Sequence, residues 1–340
     1  NMQQTLAQAF NETAIAAYKV FPRELARLAI LLVPDTDTPV YVAPEVADQL
    51  TGKTSAIRDA VGKLSKKMHD IEAAAIATRK YKLAGTTVDL IALDTTKIQG
   101  FFSGRFTKEM HALFTLDHEI GHHIIKNGHP SLFGTTVQEA ESAAEAFAML
   151  RHIQRFGKDT DHAGNRVERA ASAIVLFADP SQYTSNALQR AIEVAHGMGD
   201  YIFSLPLHQT AALAAKIARE TQLERKTLQK ISDAYKPVAK KCKALIGNGD
   251  VIVDKLYAGD KEAYAIFCRE TVSVMQQHQG DPDIFRAGKQ FLNRPEIRSF
   301  MKEAAAAEKI SYWKNALDFV NGAEPGASAP QRRAGPQPGR

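Results

Sequence analysis

Two histidines and a glutamate near the middle of the chain have the residue types and the spacing of a metal-binding helix. His118 and His122 are four residues apart, and such residues share one face of a helix. Both imidazoles can therefore reach one ion, and zinc accepts neutral imidazole nitrogens at about 2.0–2.1 Å. Glu119 points away by one residue step, which suits a base acting on a nearby water in an H-E-x-x-H motif. Gly121 lacks a side chain, so a neighbouring segment can approach this helix closely.

A third protein ligand is expected, because a catalytic zinc ion usually takes three and leaves one position open. The next predicted helix offers three carboxylates, those of Glu139, Glu141 and Glu145. A helix that returns antiparallel past the histidine pair brings these carboxylates within reach. Glu141 and Glu145 are again four residues apart, so one can bind the metal while the other holds a histidine ring through its second nitrogen.

The elements that must position these side chains are two helices with recognisable ends. The first is predicted over Thr107–Asn127, with Thr107 as its N-cap and Gly128 as its C-terminal stop. Thr136 and Glu139 form a capping box for the second helix, which is predicted to run to about Phe156. The two helices are therefore joined by a short loop.

The part of the chain before these helices mixes strands with helices. Strands are predicted over Leu28–Val33, Val40–Val42 and Thr87–Leu93, which are short apolar or β-branched runs. Gly100–Phe106 is aromatic and bounded by glycine, so it is predicted as an edge strand or a hairpin arm. Ser55–Lys80 has helical spacing and strong helix formers, and a helix is predicted there.

After residue 106 the pattern is almost wholly helical. Beyond the two central helices, the spacing predicts helices over Asn165–Phe177, Ser181–His196, Gln209–Leu245 (with a kink at Pro237), Lys261–Gln277 and Pro282–Phe319. The last residues, 322–340, are rich in Gly, Pro, Ala and Arg and cannot bury apolar area, so they are predicted to be disordered.

The two central segments resemble the active-site helices of a known class of enzymes. His118–His122 followed by Glu141–Ala148 is similar to the gluzincin zinc metallopeptidases, in particular to small bacterial peptidases of the ImmA/IrrE type and other minimal gluzincins. In that family a Glu-x-x-x-Asp/Asn pattern on the following helix supplies the third ligand and a partner for a ligand. The resemblance implies Glu141 as the ligand and Glu145 as the partner, where Glu145 departs from the family's Asp or Asn.

This resemblance covers about Thr87–Leu150 and carries a fold with it. It implies an α+β, predominantly α chain, in which a zincin-like metallopeptidase domain with a small β-sheet precedes an all-helical C-terminal extension. Gly100–Phe106 stands where the family has an edge strand that binds extended peptide. We accordingly expect a catalytic domain over residues 1–157, a helical region over 158–321 and a disordered tail over 322–340.

The function implied by the resemblance is zinc-dependent hydrolysis of peptide bonds in protein substrates. Zn²⁺ is expected on His118, His122 and Glu141, with Glu119 as the general base. A donor to the developing oxyanion is expected from a Tyr or His of a later segment. Four candidates remain open: Tyr183, His196, Tyr201 and His208. The resemblance to bacterial regulators also allows a zinc-containing regulatory protein with little general proteolysis.

A second motif indicates a different class of protein. Ala47–Thr54 fits a loose P-loop pattern, and Leu90–Asp94 resembles a strand that ends in a magnesium-facing Asp. A P-loop requires a strand that leads directly into the glycine-rich loop, whereas this segment follows Pro44 and has a helical pattern. We expect instead a helix that ends at Gly52, with Thr54 capping the next one. A nucleotide-binding protein and a non-catalytic helical interaction protein are kept as alternatives.

Composition and charge favour a globular protein without nucleic-acid or membrane partners. The formal net charge of +5 over 340 residues is modest, and the densest lysine cluster has the helical spacing of a solvated face. There is no run of apolar residues long enough to span a membrane and no secretory signal pattern. The two cysteines, Cys242 and Cys268, do not form a close pair, so a reducing cytoplasm is expected. The oligomeric state is left open.

Overall fold

The computed structural model describes residues 2–97, 108–130, 134–307 and 312–322, and this part is α+β and predominantly α, as predicted. Its strands are β1 (Leu28–Val33), β2 (Tyr41–Val42), β3 (Ala75–Leu83) and β4 (Thr86–Asp94). Its helices are α1 (Met2–Val20), α2 (Pro44–Leu50), α3 (Thr54–Asp70), α4 (Lys108–Ile124), α5 (Val137–Phe156), α6 (Asp161–Phe177), α7 (Ser185–Gly197), α8 (Tyr201–Ser204), α9 (Leu207–Thr221), α10 (Arg225–Leu245), α11 (Gly249–Ala258), α12 (Lys261–Gln277), α13 (Pro282–Leu292), α14 (Pro295–Ala307) and α15 (Tyr312–Asn321).

The four strands form one mixed sheet in the order β2-β1-β4-β3. The central strands β1 and β4 are parallel, with Leu28 opposite Asp89 and Val33 opposite Asp94. All six residues of β1 are buried, as expected of a strand that is covered on both faces. β2 and β3 run antiparallel to their neighbours, and within the described residues they are the two edges of the sheet.

The edge strand β3 corrects the prediction of one helix over Ser55–Lys80, which is wrong beyond residue 70. The helix α3 ends at Asp70, and the chain then turns and pairs with β4. Alanine, lysine and arginine between residues 73 and 82 are good helix formers, but pairing with the buried β4 outweighs this local preference. The predicted strand over Gly100–Phe106 lies outside the described residues.

The two central helices follow their predicted signals closely. The Oγ1 atom of Thr136 accepts the backbone N–H of Glu139 at 3.0 Å, which caps α5 as predicted. Gly157 ends α5 with a φ of 94°, in the region that favours glycine. α4 ends at Ile124, earlier than predicted, and a 3-10 turn over Lys126–Gly128 follows. The predicted N-cap residue of α4, at position 107, lies outside the described residues.

Two of the longer predicted helices are interrupted in the structure. Gln209–Leu245 comprises α9 and α10, because the backbone at residues 222 and 224 is extended, and Pro237 lies inside α10 without ending it. Pro282–Phe319 comprises α13, α14 and α15. The helix over Lys261–Gln277 is confirmed, while those predicted from residues 165 and 181 begin at residues 161 and 185.

Two apolar cores share helix α6. The first core is built on the sheet, α4 and α5 and extends along the chain as far as Ala218 in α9. The second core is built from helices α10 to α15, both included. Ala163 and Ala170 of α6 belong to the first core, and Ile174 and Val175 belong to the second. The boundary predicted at residues 157 and 158 stays a prediction, and residues 323–340 of the predicted tail lie outside the described part.

Two findings bear on the other classes of protein that the sequence left open. Within the described ranges, no helix has both the length and the apolar content needed to cross a membrane. The P-loop-like segment Ala47–Thr54 connects α2 to α3, so no strand leads into it. The Lys53 ammonium donates to the carbonyl oxygen of Ala84, and Lys53 rather than Thr54 is the N-cap residue of α3.

Candidate metal centre

Helices α4 and α5 pack antiparallel and in close contact, as predicted. Gly121 of α4 lies against Ala144, whereas Phe114, earlier on α4, faces His152, later on α5. A Cβ atom on Gly121 would lie 3.2 Å from the Cα atom of Ala144 and 3.3 Å from the Phe147 ring. The missing side chain therefore sets the distance between the two helices that carry the candidate ligands.

The three predicted metal ligands meet at this contact. The Nε2 atoms of His118 and His122 are 3.0 Å apart. The Glu141 carboxylate lies 3.1 Å from the Nε2 atom of His118 and 3.5 Å from that of His122. One ligand atom from each residue lies within 4.8 Å of the others. In the described part of the chain, no other histidine, cysteine or acidic residues form such a group.

The groups behind the two rings, a carbonyl oxygen and a carboxylate, influence which ring nitrogens face the meeting point as acceptors. The Nδ1 atom of His122 lies 2.7 Å from the carbonyl oxygen of Gly128, a contact that requires a proton on Nδ1. The Nδ1 atom of His118 has the Glu145 carboxylate as its acidic neighbour, at 3.5 Å. A proton on Nδ1 of His122 leaves its Nε2 atom as an acceptor, and the Nε2 atom of His118 becomes one when a cation displaces the proton that it shares with Glu141. Three acceptors that face one point fit a cation, and two nitrogens with one oxygen suit zinc.

The electrostatics of the group also favour positive charge. Burial alone would lower the pKa of His118, but the carboxylates of Glu141 and Glu145 raise it well above the ordinary value. Burial alone would raise the pKa of Glu141, but its contacts with His118 and His122 hold it far below the ordinary value. The site thus holds an anionic carboxylate against two imidazoles, and a metal ion would satisfy all three groups.

Glu145 lies behind His118 and is anchored by an arginine of α6. The Nη2 atom of Arg166 lies 2.7 Å from the Glu145 carboxylate, and both side chains are buried. The guanidinium also lies over the ring of Phe114, 4.4 Å from its centroid. Burial raises the pKa of Glu145, but Arg166 and His118 outweigh it and lower this pKa to about 2. The side chain of Glu145, longer than an Asp or Asn, therefore links a candidate metal ligand to α6.

The other two glutamates have different surroundings. Glu119 lies beside the ligand group in the same cavity, and burial raises the pKa of its carboxyl above the ordinary value. Glu139 is buried, and its carboxylate accepts a hydrogen bond from the Asn127 side chain at 3.2 Å. Only the Thr136 half of the predicted capping box is therefore seen, because the Glu139 side chain bonds to Asn127, and Glu139 is not part of the ligand group.

The ligand group opens into a cavity of about 880 Å³. Its walls come from the chain before and along the edge strand β3, from α4 and α5, and from α6. The cavity is large enough for several residues of a peptide, since ligand pockets for drug-sized molecules occupy about 300–1,000 Å³. None of the four predicted oxyanion donors lines it; these are Tyr183, His196, Tyr201 and His208. Tyr183, for example, is buried and bonds to Gln290 in the neighbouring helices.

Several cavity residues escape prediction from the sequence. Arg79 is placed by β3, which has a helical pattern in the sequence, and Arg166 comes from a helix beyond the motif. His129 also lines the cavity, and the Nη2 atom of Arg79 lies 2.7 Å from both of its ring nitrogens. The sequence shows only that His129 directly follows Gly128, the predicted stop of α4.

Buried histidines form a cluster next to Arg166. The rings of His152 and His162 lie 4.8 Å apart, and His111 lies 5.9 Å from His162. His162 lies in the first turn of α6. Burial, with the help of Arg166, lowers the pKa of His162 to about 2, so this ring is neutral in the folded protein.

Comparisons of the chain with protein-family models, with curated proteins and with solved structures find no match. The assignment of a function therefore depends on the geometry of this site.

Proposed function

We propose that the protein is a zinc-dependent metallopeptidase with a zincin-like catalytic part. The observation that carries this proposal is the convergence of His118, His122 and Glu141 as acceptors on one point, with Glu119 beside them in an open cavity. The three acceptors supply the ligand number that a catalytic zinc site uses. The cavity supplies room for a substrate next to them.

The reaction follows from the positions of these side chains. A zinc ion, when bound, lowers the pKa of a water and polarises the scissile carbonyl. The Glu119 carboxylate accepts a proton from the attacking water and delivers it to the amine nitrogen that leaves. Glu145 and the Gly128 carbonyl keep the histidine rings in the orientation that directs each Nε2 atom at the site.

The edge strand β3 supports a peptide as the substrate. Residues 74–77 line the cavity beside the ligand group, and within the described residues β3 pairs with β4 alone. An extended peptide can add to such an edge through main-chain hydrogen bonds. Gly100–Phe106, for which the resemblance implies the same role, lies outside the described residues. Both cysteines are buried and unpaired, which supports our proposal of a reducing cytoplasm.

The test separates metal binding from hydrolysis. Zinc content is measured by mass spectrometry, and cleavage is measured with a library of internally quenched peptides. Glu119→Gln is expected to keep the zinc and to lose about 10²–10⁴-fold in rate, because it removes the base and not a ligand. Glu109→Gln is the matched control, since it makes the same change at an exposed position of α4.

The outcomes decide each half of the proposal. His118→Ala is expected to lose the zinc that the wild-type protein retains. Equal zinc content in both proteins would contradict the proposed metal site. Cleavage by Glu119→Gln at the wild-type rate would contradict the proposed mechanism even if zinc were bound.

A further inference from the structure

Arg79 brings a positive charge to the wall of the cavity through an irregularity in the edge strand. Thr78 is opposite Leu90 and Tyr81 is opposite Val88, so Arg79 and Lys80 together face the single residue Asp89. Such a bulge re-aims side chains and is common beside active sites. Arg79 lines the cavity that holds the candidate ligands, whereas Lys80 does not.

The charge of Arg79 is not neutralised in the described structure. Its partner is the His129 ring, and no carboxylate of the described residues lies within 4.0 Å of its guanidinium. Burial and Arg79 itself lower the pKa of His129 to about 4, so His129 is neutral and accepts from the guanidinium. Asp89 accepts the backbone N–H of Lys80 at 3.2 Å. Arg79 is exposed to the cavity and has further donors to offer a ligand.

Two other guanidinium groups line the cavity, and both come from α6. Arg166 lies over Phe114 and is paired with Glu145, which neutralises its positive charge. Arg169 is on the same helix and is not part of the strand β3. Arg79 alone among the described arginines combines a place in the cavity with a place on the strand that an extended peptide would follow.

We propose that Arg79 is a specificity-determining residue that binds a carboxylate of the peptide, so that the preferred substrates carry an acidic group close to the scissile bond. This inference rests on the proposed function. The guanidinium fork matches a carboxylate with two parallel hydrogen bonds. The carboxylate can be an Asp or Glu side chain or the free C-terminus. Because side chains of an extended peptide alternate in direction, the preference is expected at one position and not at its immediate neighbours.

The experiment compares matched peptides on the zinc-loaded protein. Internally quenched peptides carry Glu or Gln at each position around the cleaved bond, and each is made with a free and with an amidated C-terminus. The wild-type protein is expected to prefer Glu, or the free C-terminus, by about 10- to 100-fold in kcat/KM. Arg79→Met is expected to reduce this ratio to less than about 3-fold, while Lys80→Met, on the adjacent residue, keeps it.

A binding arm makes the result independent of turnover. Fluorescein-labelled forms of the same peptides are titrated into zinc-loaded Glu119→Gln, with and without Arg79→Met, and anisotropy is read. If the peptides with a carboxylate bind more tightly only when Arg79 is present, but the wild-type protein hydrolyses none of them, the role of Arg79 is supported and the proposed function is contradicted. Hydrolysis with equal rates and equal binding for all peptide pairs, or no binding of any peptide, would overturn the role of Arg79. So would a preference that Arg169→Met removes and Arg79→Met leaves intact.

Discussion

The replacement Arg166→Met tests whether the helix beyond the motif helps to build the metal site. Arg166 and Glu145 are 2.7 Å apart with 10% and 7% of their side chains exposed, and Glu145 in turn lies 3.5 Å from the Nδ1 atom of His118. Methionine keeps much of the aliphatic volume over Phe114 and removes the charge. The variant therefore leaves a buried carboxylate without its cation.

The expected magnitude follows from the burial of the pair. Removing one partner of a buried ion pair costs about 3–5 kcal/mol, because the remaining charge is desolvated and uncompensated. The double variant Arg166→Met/Glu145→Gln removes the stranded charge and is expected to recover about 2 kcal/mol or more of this loss. Zinc affinity is expected to fall about 10- to 100-fold in both variants. In the single variant the Glu145 carboxylate loses its anchor, and in the double variant the carboxylate behind the His118 ring is absent.

The assay is urea unfolding at pH 7 of chelator-treated protein, with zinc affinity from competition with a fluorescent chelator. Arg190→Met is the matched control, since Arg190 and Glu193 form an exposed pair at 3.8 Å that is expected to contribute less than about 1 kcal/mol. An Arg166→Met loss no larger than that of the control would refute the reasoning. The reasoning would also be refuted if the double variant lost as much unfolding free energy as Arg166→Met and Glu145→Gln lose together, because the two side chains would then not be coupled.

Three further predictions follow from the packing and the buried groups. Gly121→Ala is expected to weaken zinc binding by at least about 10-fold, because the new Cβ would push apart the helices that carry the ligands; affinity equal to wild type would contradict this. Gly288→Ala is expected to lower the free energy of unfolding by about 1–3 kcal/mol, because its Cβ would overlap neighbouring side chains at 2.5 Å. The control Gly62→Ala, in α3 with nothing within 4 Å, is expected to be neutral or stabilising by about 0.5–1 kcal/mol in the same urea unfolding. The neutral His162 has a lowered pKa, so it stabilises the fold above about pH 6.5 and this contribution is lost as the pH falls. The wild-type protein is therefore expected to lose unfolding free energy between pH 7 and pH 5. In His162→Phe, measured in the presence of chelator, this loss is expected to be smaller by about 2 kcal/mol. An equal loss in both proteins would refute the assignment of a neutral His162.

The histidine pair and the helix with its three candidate carboxylates could be predicted from local periodicity, and the resemblance to gluzincins implied Glu141 among the three. His118 and His122 share a helix face by their spacing alone, and the capping signals at Thr136 and Gly157 predict the extent of the helix that brings Glu141 back. Each of these inferences uses residues that are close in sequence. The structure brings the three candidate ligands together at a helix contact that Gly121 indicates in the sequence.

The rest of the site depends on distant pairing, which local patterns do not contain. β3 contains strong helix formers and becomes a strand because β4 offers it a buried partner, so Arg79 could not be placed in the cavity. Arg166 reaches Glu145 from a helix packed behind the site, across a sequence separation that no spacing rule covers. The predicted oxyanion donors of later segments do not line the cavity, and Tyr183 packs in the second core instead.

The central claim is that two imidazoles and one carboxylate hold a single zinc ion. Anomalous diffraction at the zinc edge from crystals of the purified protein tests it most directly. The predicted result is one peak at about 2.0–2.2 Å from the Nε2 atoms of His118 and His122 and from a Glu141 carboxylate oxygen. A zinc peak bound by other residues, or none at these three in crystals grown with zinc, would contradict the account.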